Sequence, residues 1–168
     1  MCSSNIVAYI SGFVVYKLKK SLQCETCIGA LFGSDNSTLH SLIRLKSKGY
    51  LVHPSDDVID ICQCCEKLFQ KSVAGCSYKD ISLGRKDFLK IVVSVLECYA
   101  FKKIFSDLSE HMYETDSIQN HMILFIKAIA EKYLQVRYSY AAKQFTLRFK
   151  KKKKNEKSSD LYKMDSFQ

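Results

Sequence analysis

The chain has 168 residues, 47% of them hydrophobic, which is enough apolar material for a core and excludes a chain disordered throughout. One proline and only six glycines favour helices over a sandwich of many short strands. The formal net charge of +9 is compatible with contact to nucleic acid or another acidic surface without establishing it.

The eight cysteines raise the question of compartment, because disulfides are expected in secreted chains. The apolar run over residues 6–15 is shorter than the ~20 residues that a bilayer span needs. Its lysines follow the apolar stretch, whereas the charges of a signal peptide precede it. We therefore expect a reducing compartment, where clustered cysteines bind metal or lie buried as small apolar groups.

Hydrophobic periodicity predicts the first helix over residues 5–21. Its predicted core face consists of Ile6, Ile10, Phe13, Val14 and Leu18. A Cys-x-x-Cys knuckle at residues 24–27 follows, and a short helix is predicted over about 39–49, ending near Gly49.

The next predicted helix opens at Pro54 and Ser55, with Ser55 as the N-terminal cap, and continues to about residue 71. A loop over 72–84 separates it from a helix over about 85–105, and residues 106–117 are polar and predicted to be irregular. The last helix is predicted to begin near Ser117, with a core face that runs from Ile118 to Tyr140.

The predicted fold is therefore all-α, an irregular module of about five helices. We expect a helical domain over residues 1–149 and a basic, polar, disordered tail over residues 150–168.

The knuckle defines a candidate metal site, because two thiolates at this spacing can bind one face of a zinc ion. A structural zinc site needs four ligands. His111, in the irregular stretch, and His121, near the start of the last helix, are the candidates for the other two. Cys24, Cys27, His111 and His121 would then form a structural zinc site that joins the beginning of the chain to its last helix.

Other interpretations of the cysteines stay open. A lone Cys-x-x-Cys also arises by chance, and Cys62, Cys64 and Cys65 compete as ligands. The helical spacing of these three favours burial of Cys62 and Cys65, with Cys64 off the buried face. Cys76 and Cys98 are predicted to be isolated thiols, and a thioredoxin-like role is disfavoured because no βαβ pattern surrounds the knuckle.

Several stretches resemble the C-terminal part of P-element-type transposases, which include the THAP-domain-containing transposase-like proteins of animals. The resemblance begins with Tyr9-Ile-Ser-Gly-Phe-Val-Val-x-Lys-Leu and the knuckle. It continues with Leu42-Ile-Arg-Leu-Lys-x-Lys-Gly-Tyr-Leu-Val-x-Pro-Ser-x-Asp-Val and Cys65-Glu-Lys-Leu-Phe. It resumes at His121 with Phe125-Ile-Lys and Tyr133-Leu-x-Val-Arg-Tyr, so it covers most of residues 6–145.

The resemblance implies a segment that follows the ribonuclease-H-like catalytic core. Met1 stands only eight residues before Tyr9, so we expect the DNA-reading THAP domain, the guanine-nucleotide-binding insertion and the catalytic carboxylates of the family to be absent. Histidines before and at the start of the last helix also occur in the family, which supports His111 and His121 as ligands.

A basic run near the end of the chain is a candidate nucleic-acid-binding or nuclear-import segment. Its residues are Arg148, Lys150, Lys151, Lys152, Lys153 and Lys154. A solvated helix end explains the same composition without any binding, so this alternative stays open.

These observations predict a non-enzymatic, nuclear, zinc-binding module of a transposase-like protein, associated non-specifically with DNA. The alternative is a protein-interaction module, whose apolar surface, normally covered by the catalytic core in the family, binds another transposase-like protein or a second copy. The scattered acids and the lack of a phosphate-binding glycine loop disfavour an enzyme, and no membrane contact is expected.

Overall fold

In a computed structural model, the described residues are 4–33, 52–74, 85–100, 102, 104, 105 and 121–164, with the backbone alone described at 4, 5, 74, 85, 145 and 148–164. Within these ranges the chain forms five helices. They are α1 (Ser4–Leu18), α2 (Glu25–Gly29), α3 (Asp56–Ala74), α4 (Arg85–Tyr99) and α5 (His121–Met164). The described part contains no strand beyond an isolated antiparallel bridge between Phe32 and Pro54. The predicted all-α class is confirmed.

The predicted helices differ from the observed ones mainly at their ends. Helix α4 ends at Tyr99 instead of near residue 105, and the knuckle contains the short helix α2. Helix α5 continues to Met164, past the position where a loose tail was expected. The predicted helix over 39–49 and the irregular stretch over 106–117 lie outside the described residues.

The chain divides into two compact units, residues 1–134 and residues 135–168. The first unit holds the core, which is built around α3 with α1 and α4 packed against it. The predicted domain boundary between residues 149 and 150 stays a prediction. The largest fully buried side chains of the core are Tyr99, Tyr133, Leu31, Ile61, Ile126, Ile129, Leu134, Val14 and Val15.

Three carboxylates of α3 accept hydrogen bonds from other parts of the first unit. Asp57 Oδ2 accepts from the backbone N–H of Phe105 at 2.9 Å. Asp60 Oδ2 accepts from the Tyr99 hydroxyl of α4 at 2.8 Å. Glu66, which is 4% exposed, accepts from the Tyr133 hydroxyl of α5 at 2.8 Å. Because buried polar groups are costly when left without partners, these bonds fix where α4 and α5 meet α3.

The buried face of α1 differs from the predicted one. Ile6 and Phe13 are 41% and 37% exposed, although the sequence places them on the core face. The buried face instead contains Val7, Ser11 and Val15 together with the correctly predicted Ile10, Val14 and Leu18. The prediction fails because α1 is apolar on nearly every side, so periodicity cannot select the face that packs.

The predicted burial of two α3 cysteines is confirmed. Cys62 and Cys65 are fully buried, while Cys64 is only partly buried. Leu134 is the last fully buried residue among the described side chains of α5, and Tyr140 is 55% exposed where the sequence predicted a core position. None of the helices in the described ranges has the length and apolar character for crossing a bilayer.

The buried bond between Tyr133 and Glu66 gives a first prediction. Replacing Tyr133 by Phe leaves the Glu66 carboxylate without one of its donors, so the free energy of unfolding should fall by about 1–3 kcal/mol. Urea unfolding of the purified chain measures this change. The matched control is Tyr140→Phe, at a ring that is 55% exposed, and should leave stability unchanged. Equal stability of the two variants would contradict the role assigned to Glu66.

Candidate metal centre

Two sulfurs and one imidazole converge in the first unit. Sγ of Cys24, Sγ of Cys27 and a ring nitrogen of His121 all lie within 4.8 Å of one another. The Sγ atom of Cys27 is 3.7 Å from Nδ1 of His121, although these residues are 94 positions apart in sequence. We call these three residues the thiol–imidazole cluster. Three of the four side chains that the sequence selected are thus brought together by the fold.

The local backbone explains why both sulfurs point to one place. Cys24 precedes α2 in an extended conformation, with φ −81° and ψ 113°, and its carbonyl accepts the N–H of Ile28 at 3.0 Å. Cys27 lies inside α2 and is 4% exposed. The single turn of helix therefore places the two sulfurs on the same side of the knuckle.

The segment after α2 is fixed to the start of α3. The N–H of Gly33 donates to the His53 carbonyl at 3.0 Å, and the N–H of Ser55 donates to the Leu31 carbonyl at 2.9 Å. The Ser55 hydroxyl also donates to the Ala30 carbonyl at 2.9 Å. Ser55 caps α3 at the same time, because its side-chain Oγ accepts the N–H of Val58 at 3.5 Å. The predicted cap residue is confirmed, and it also connects the knuckle to the core.

His121 reaches the cluster because the part of α5 that belongs to the first unit, residues 121–134, packs there. It is the first residue of α5, and one turn later the ring of Phe125 packs on Phe105 with centroids 4.9 Å apart. Phe105 adopts a positive φ of 52°, which is strained for a residue with a side chain. Its N–H bond to Asp57 and its contact with Phe125 hold this conformation.

The two thiols differ in acidity. The backbone N–H of Cys27 is the main cause that lowers the pKa of Cys24, with a further contribution from Thr26. Burial, reinforced by the neighbouring Cys24, raises the pKa of Cys27 to about 12. A divalent cation would supply the positive charge that two adjacent thiolates need.

The sulfur–nitrogen distance between Cys27 and His121 fits a tetrahedral zinc ion. With Zn–S near 2.3 Å and Zn–N near 2.0–2.1 Å, tetrahedral geometry places sulfur and nitrogen about 3.6 Å apart and two sulfurs about 3.8 Å apart. The observed 3.7 Å between Cys27 and His121 matches the first value. Soft sulfur with imidazole is the donor set that proteins use for structural zinc.

The other predicted site residues fall into two groups. His111 lies outside the described residues, as do the side chains of Arg148 and Lys150–Lys154, whose backbone belongs to α5. Cys62, Cys64 and Cys65, the competing ligands, join no group of three metal-binding side chains in the described part of the chain. Cys98 is an exposed free thiol, and its proximity adds to burial in raising the pKa of the Cys64 thiol to about 11.

Sequence reasoning missed a basic and aromatic surface at the end of α1. Lys17 lies 5.3 Å from the centroid of the Phe13 ring, and Lys20 lies 4.4 Å from that of Tyr16. Lys19 lies 5.6 Å from the centroid of Phe32. We call this surface the α1 patch: Lys17, Lys19, Lys20, Phe13, Tyr16 and Phe32. The sequence pattern that could have indicated this patch is the group of lysines after the first apolar run. Those lysines were used above only as an argument against a signal peptide.

The fold and the cluster together define a helical module in which a two-cysteine knuckle and a histidine of the last helix form one candidate metal site. The sequence profile of the family described as DNA transposase THAP9, C-terminal domain, matches residues 1–143. The chain therefore belongs to this family, and the predicted resemblance is confirmed.

One relative is the DNA transposase THAP9 of Homo sapiens, which is 28% identical to this chain over 136 residues. The aligned region covers 79% of this chain but only 15% of that protein. No solved structure matches the chain.

Two glycines near the knuckle give a second prediction. A Cβ atom at Gly33 would lie 2.6 Å from the Pro54 carbonyl oxygen, so Gly33→Ala must separate the knuckle segment from the start of α3. A Cβ at Gly29 meets nothing within 4 Å. We expect Gly33→Ala to lower thermal stability and Gly29→Ala to preserve it, as measured by circular dichroism. Equal melting of both variants would show that the contact with Pro54 does not position the knuckle.

Proposed function

We propose that this chain is a non-catalytic C-terminal module of a transposase-like protein, held together by one structural zinc ion. Cys24, Cys27 and His121 supply three ligands, and His111 supplies the fourth. The observation that carries the proposal is the thiol–imidazole cluster, in which side chains 94 residues apart in sequence lie at zinc-ligand spacing. Bound zinc would supply cross-linking rather than reaction chemistry, because four protein ligands leave no open position.

The use of the carboxylates supports a structural role. Two-metal strand transfer needs acids that converge on a pair of cations. Asp57, Asp60 and Glu66 instead accept hydrogen bonds from Phe105, Tyr99 and Tyr133. The family match is also to a domain described as C-terminal.

Zinc content of the purified full chain tests the proposal. We expect about one zinc per chain by elemental analysis, with no zinc retained in Cys24→Ser or in His121→Gln. If free zinc exceeds its Kd 1,000-fold, binding adds about 4 kcal/mol, so chelation should lower Tm by roughly 10 °C.

The matched control is Cys98→Ser, which removes an exposed thiol outside the cluster and should retain the metal. A folded wild-type protein without zinc, or one that retains zinc in Cys24→Ser, would contradict the proposed site. If a cluster variant fails to fold, the zinc content of the wild-type protein and the change in its Tm on chelation still test the proposal.

We further propose that the module associates with DNA without sequence preference and acts in the nucleus. The α1 patch supports this proposal, because its lysines lie over aromatic rings and take no part in the ion pairs of the described residues, Lys90–Asp87 and Lys127–Glu131. Lysines bind phosphates through counterion release, and aromatic rings stack on exposed bases. The basic run from Arg148 to Lys154 adds positive charge in the second unit.

A matched pair of charge variants tests this DNA association. The triple variant Lys17→Gln, Lys19→Gln, Lys20→Gln should weaken binding to an arbitrary duplex and reduce the salt slope by about 0.9 for each phosphate that is no longer neutralised. The control triple variant, Lys71→Gln, Lys90→Gln, Lys127→Gln, removes the same charge at exposed positions elsewhere. Fluorescence anisotropy across a salt series measures both. Equal weakening in the two variants would show that only net charge matters.

A protein-interaction module is the second candidate, because several large apolar side chains are exposed. Leu89 and Val93 on α4 are 47% and 52% exposed and lie one turn apart, on the same face. Ile123 and Leu124 on α5 are 49% and 50% exposed. Absence of DNA binding even at low salt would favour this candidate, whose partner is another transposase-like protein or a second copy.

A further inference from the structure

The α1 patch presents aromatic rings to solvent together with its positive charge. Its three lysines are exposed, and the Phe13 ring is 37% exposed. The Tyr16 and Phe32 rings are partly exposed. Phe32 belongs to the segment after α2, so two elements of the first unit build the patch.

The ammonium groups of the patch lie beside its rings. The Lys17 ammonium is 5.3 Å from the centroid of the Phe13 ring and 6.0 Å from that of Tyr16. The Lys20 ammonium donates a hydrogen bond to the Tyr16 hydroxyl at 2.8 Å. The ion pairs of the described residues involve other lysines, so an anion can approach the ammonium groups of the patch.

The lysines and the rings suit different parts of a nucleic-acid strand. Lysines reach the phosphates of a duplex as well as those of a single strand. The faces of paired bases are covered by their neighbours in the stack, so an aromatic ring adds little to duplex binding. An unpaired base exposes a face on which a ring can stack. The interleaving of ammonium groups and rings therefore matches the alternation of phosphates and bases along an unpaired strand.

We propose that the α1 patch binds an unpaired stretch of DNA, with one base stacked on the Phe13 ring and the neighbouring phosphates bound by the patch lysines. This inference rests on the proposed DNA association and narrows its ligand to single-stranded DNA. The choice of DNA, as opposed to RNA, follows from that proposed association.

The relative strengths of the competing contacts favour the base over the lysine on this ring. A cation beside an exposed aromatic ring changes an equilibrium constant by about two- to fivefold. A base stacked on an aromatic side chain contributes about 5- to 150-fold. A base can therefore displace the Lys17 ammonium from the Phe13 ring. Lys17 lies one helical turn beyond Phe13, so its displaced ammonium can bind the phosphate next to the stacked base.

Fluorescence anisotropy of the full chain with one labelled DNA strand, alone and annealed to its complement, tests the proposal. Charge alone favours the duplex, which carries more phosphates per unit length. Tighter binding of the strand alone would therefore report the contribution of the rings. We expect the strand to bind at least about fivefold more tightly than the duplex.

The variant Phe13→Leu removes the aromatic ring while it keeps the charge and an apolar side chain at this exposed position. It should weaken binding of the strand by about 5- to 150-fold, with an unchanged salt slope and unchanged duplex binding. The matched control is Phe88→Leu, at a partly exposed ring of α4 outside the patch, and should bind the strand as the wild type does.

The contrary results separate this inference from the DNA association on which it rests. No binding of either DNA form at low salt would overturn both. Duplex binding as tight as strand binding, or normal strand binding by Phe13→Leu, would overturn the inference alone. Tighter binding of an RNA strand of the same sequence would overturn the choice of DNA. If Phe13→Leu fails to fold, ultraviolet cross-linking of the wild type to an iodouracil-substituted strand replaces it. The cross-link should map to the α1 peptide that contains Phe13, and a cross-link only elsewhere would overturn the inference.

Discussion

The meeting of Cys24, Cys27 and His121 is the constraint on which the module depends. A five-residue helix is too short to be stable alone, and the knuckle is anchored to the core chiefly through the backbone pairing of residues 31–33 with 53–55. A cation bound by both the knuckle and α5 would hold the short helix α2 in its observed conformation. It would also explain why the buried thiol of Cys27 lies next to a second thiol and an imidazole, because these three groups can bind one metal ion once the thiols have lost their protons.

Helix α3 provides the frame that makes the meeting geometrically possible. Its cap residue, Ser55, holds the knuckle segment, and its buried Glu66 accepts the hydroxyl of Tyr133 from α5. Helix α3 therefore positions both elements that carry the cluster: the knuckle through its N-terminal cap, and α5 through a side chain in its middle. These bonds join polar groups that are shielded from water. A group that loses its partner cannot hydrogen-bond to water instead, so breaking one bond should displace the helix or segment that it holds.

Much of this arrangement follows from local pattern. Periodicity located α1, α3 and α4, the Pro54–Ser55 pair marked the start of α3, and ligand chemistry selected Cys24, Cys27 and His121. The sequence does not predict which side chains of different helices contact one another. The bonds of Asp60 and Glu66 to tyrosines 39 and 67 residues away leave no local trace. The face of α1 was misassigned because an all-apolar helix carries no directional signal.

X-ray absorption at the zinc edge, recorded on the purified full-length chain, tests the shared cation most directly. We expect a four-coordinate shell with two sulfurs at about 2.3 Å and two imidazole nitrogens at about 2.0–2.1 Å. A shell of oxygen and nitrogen alone, or a folded protein that gives no zinc signal, would contradict it.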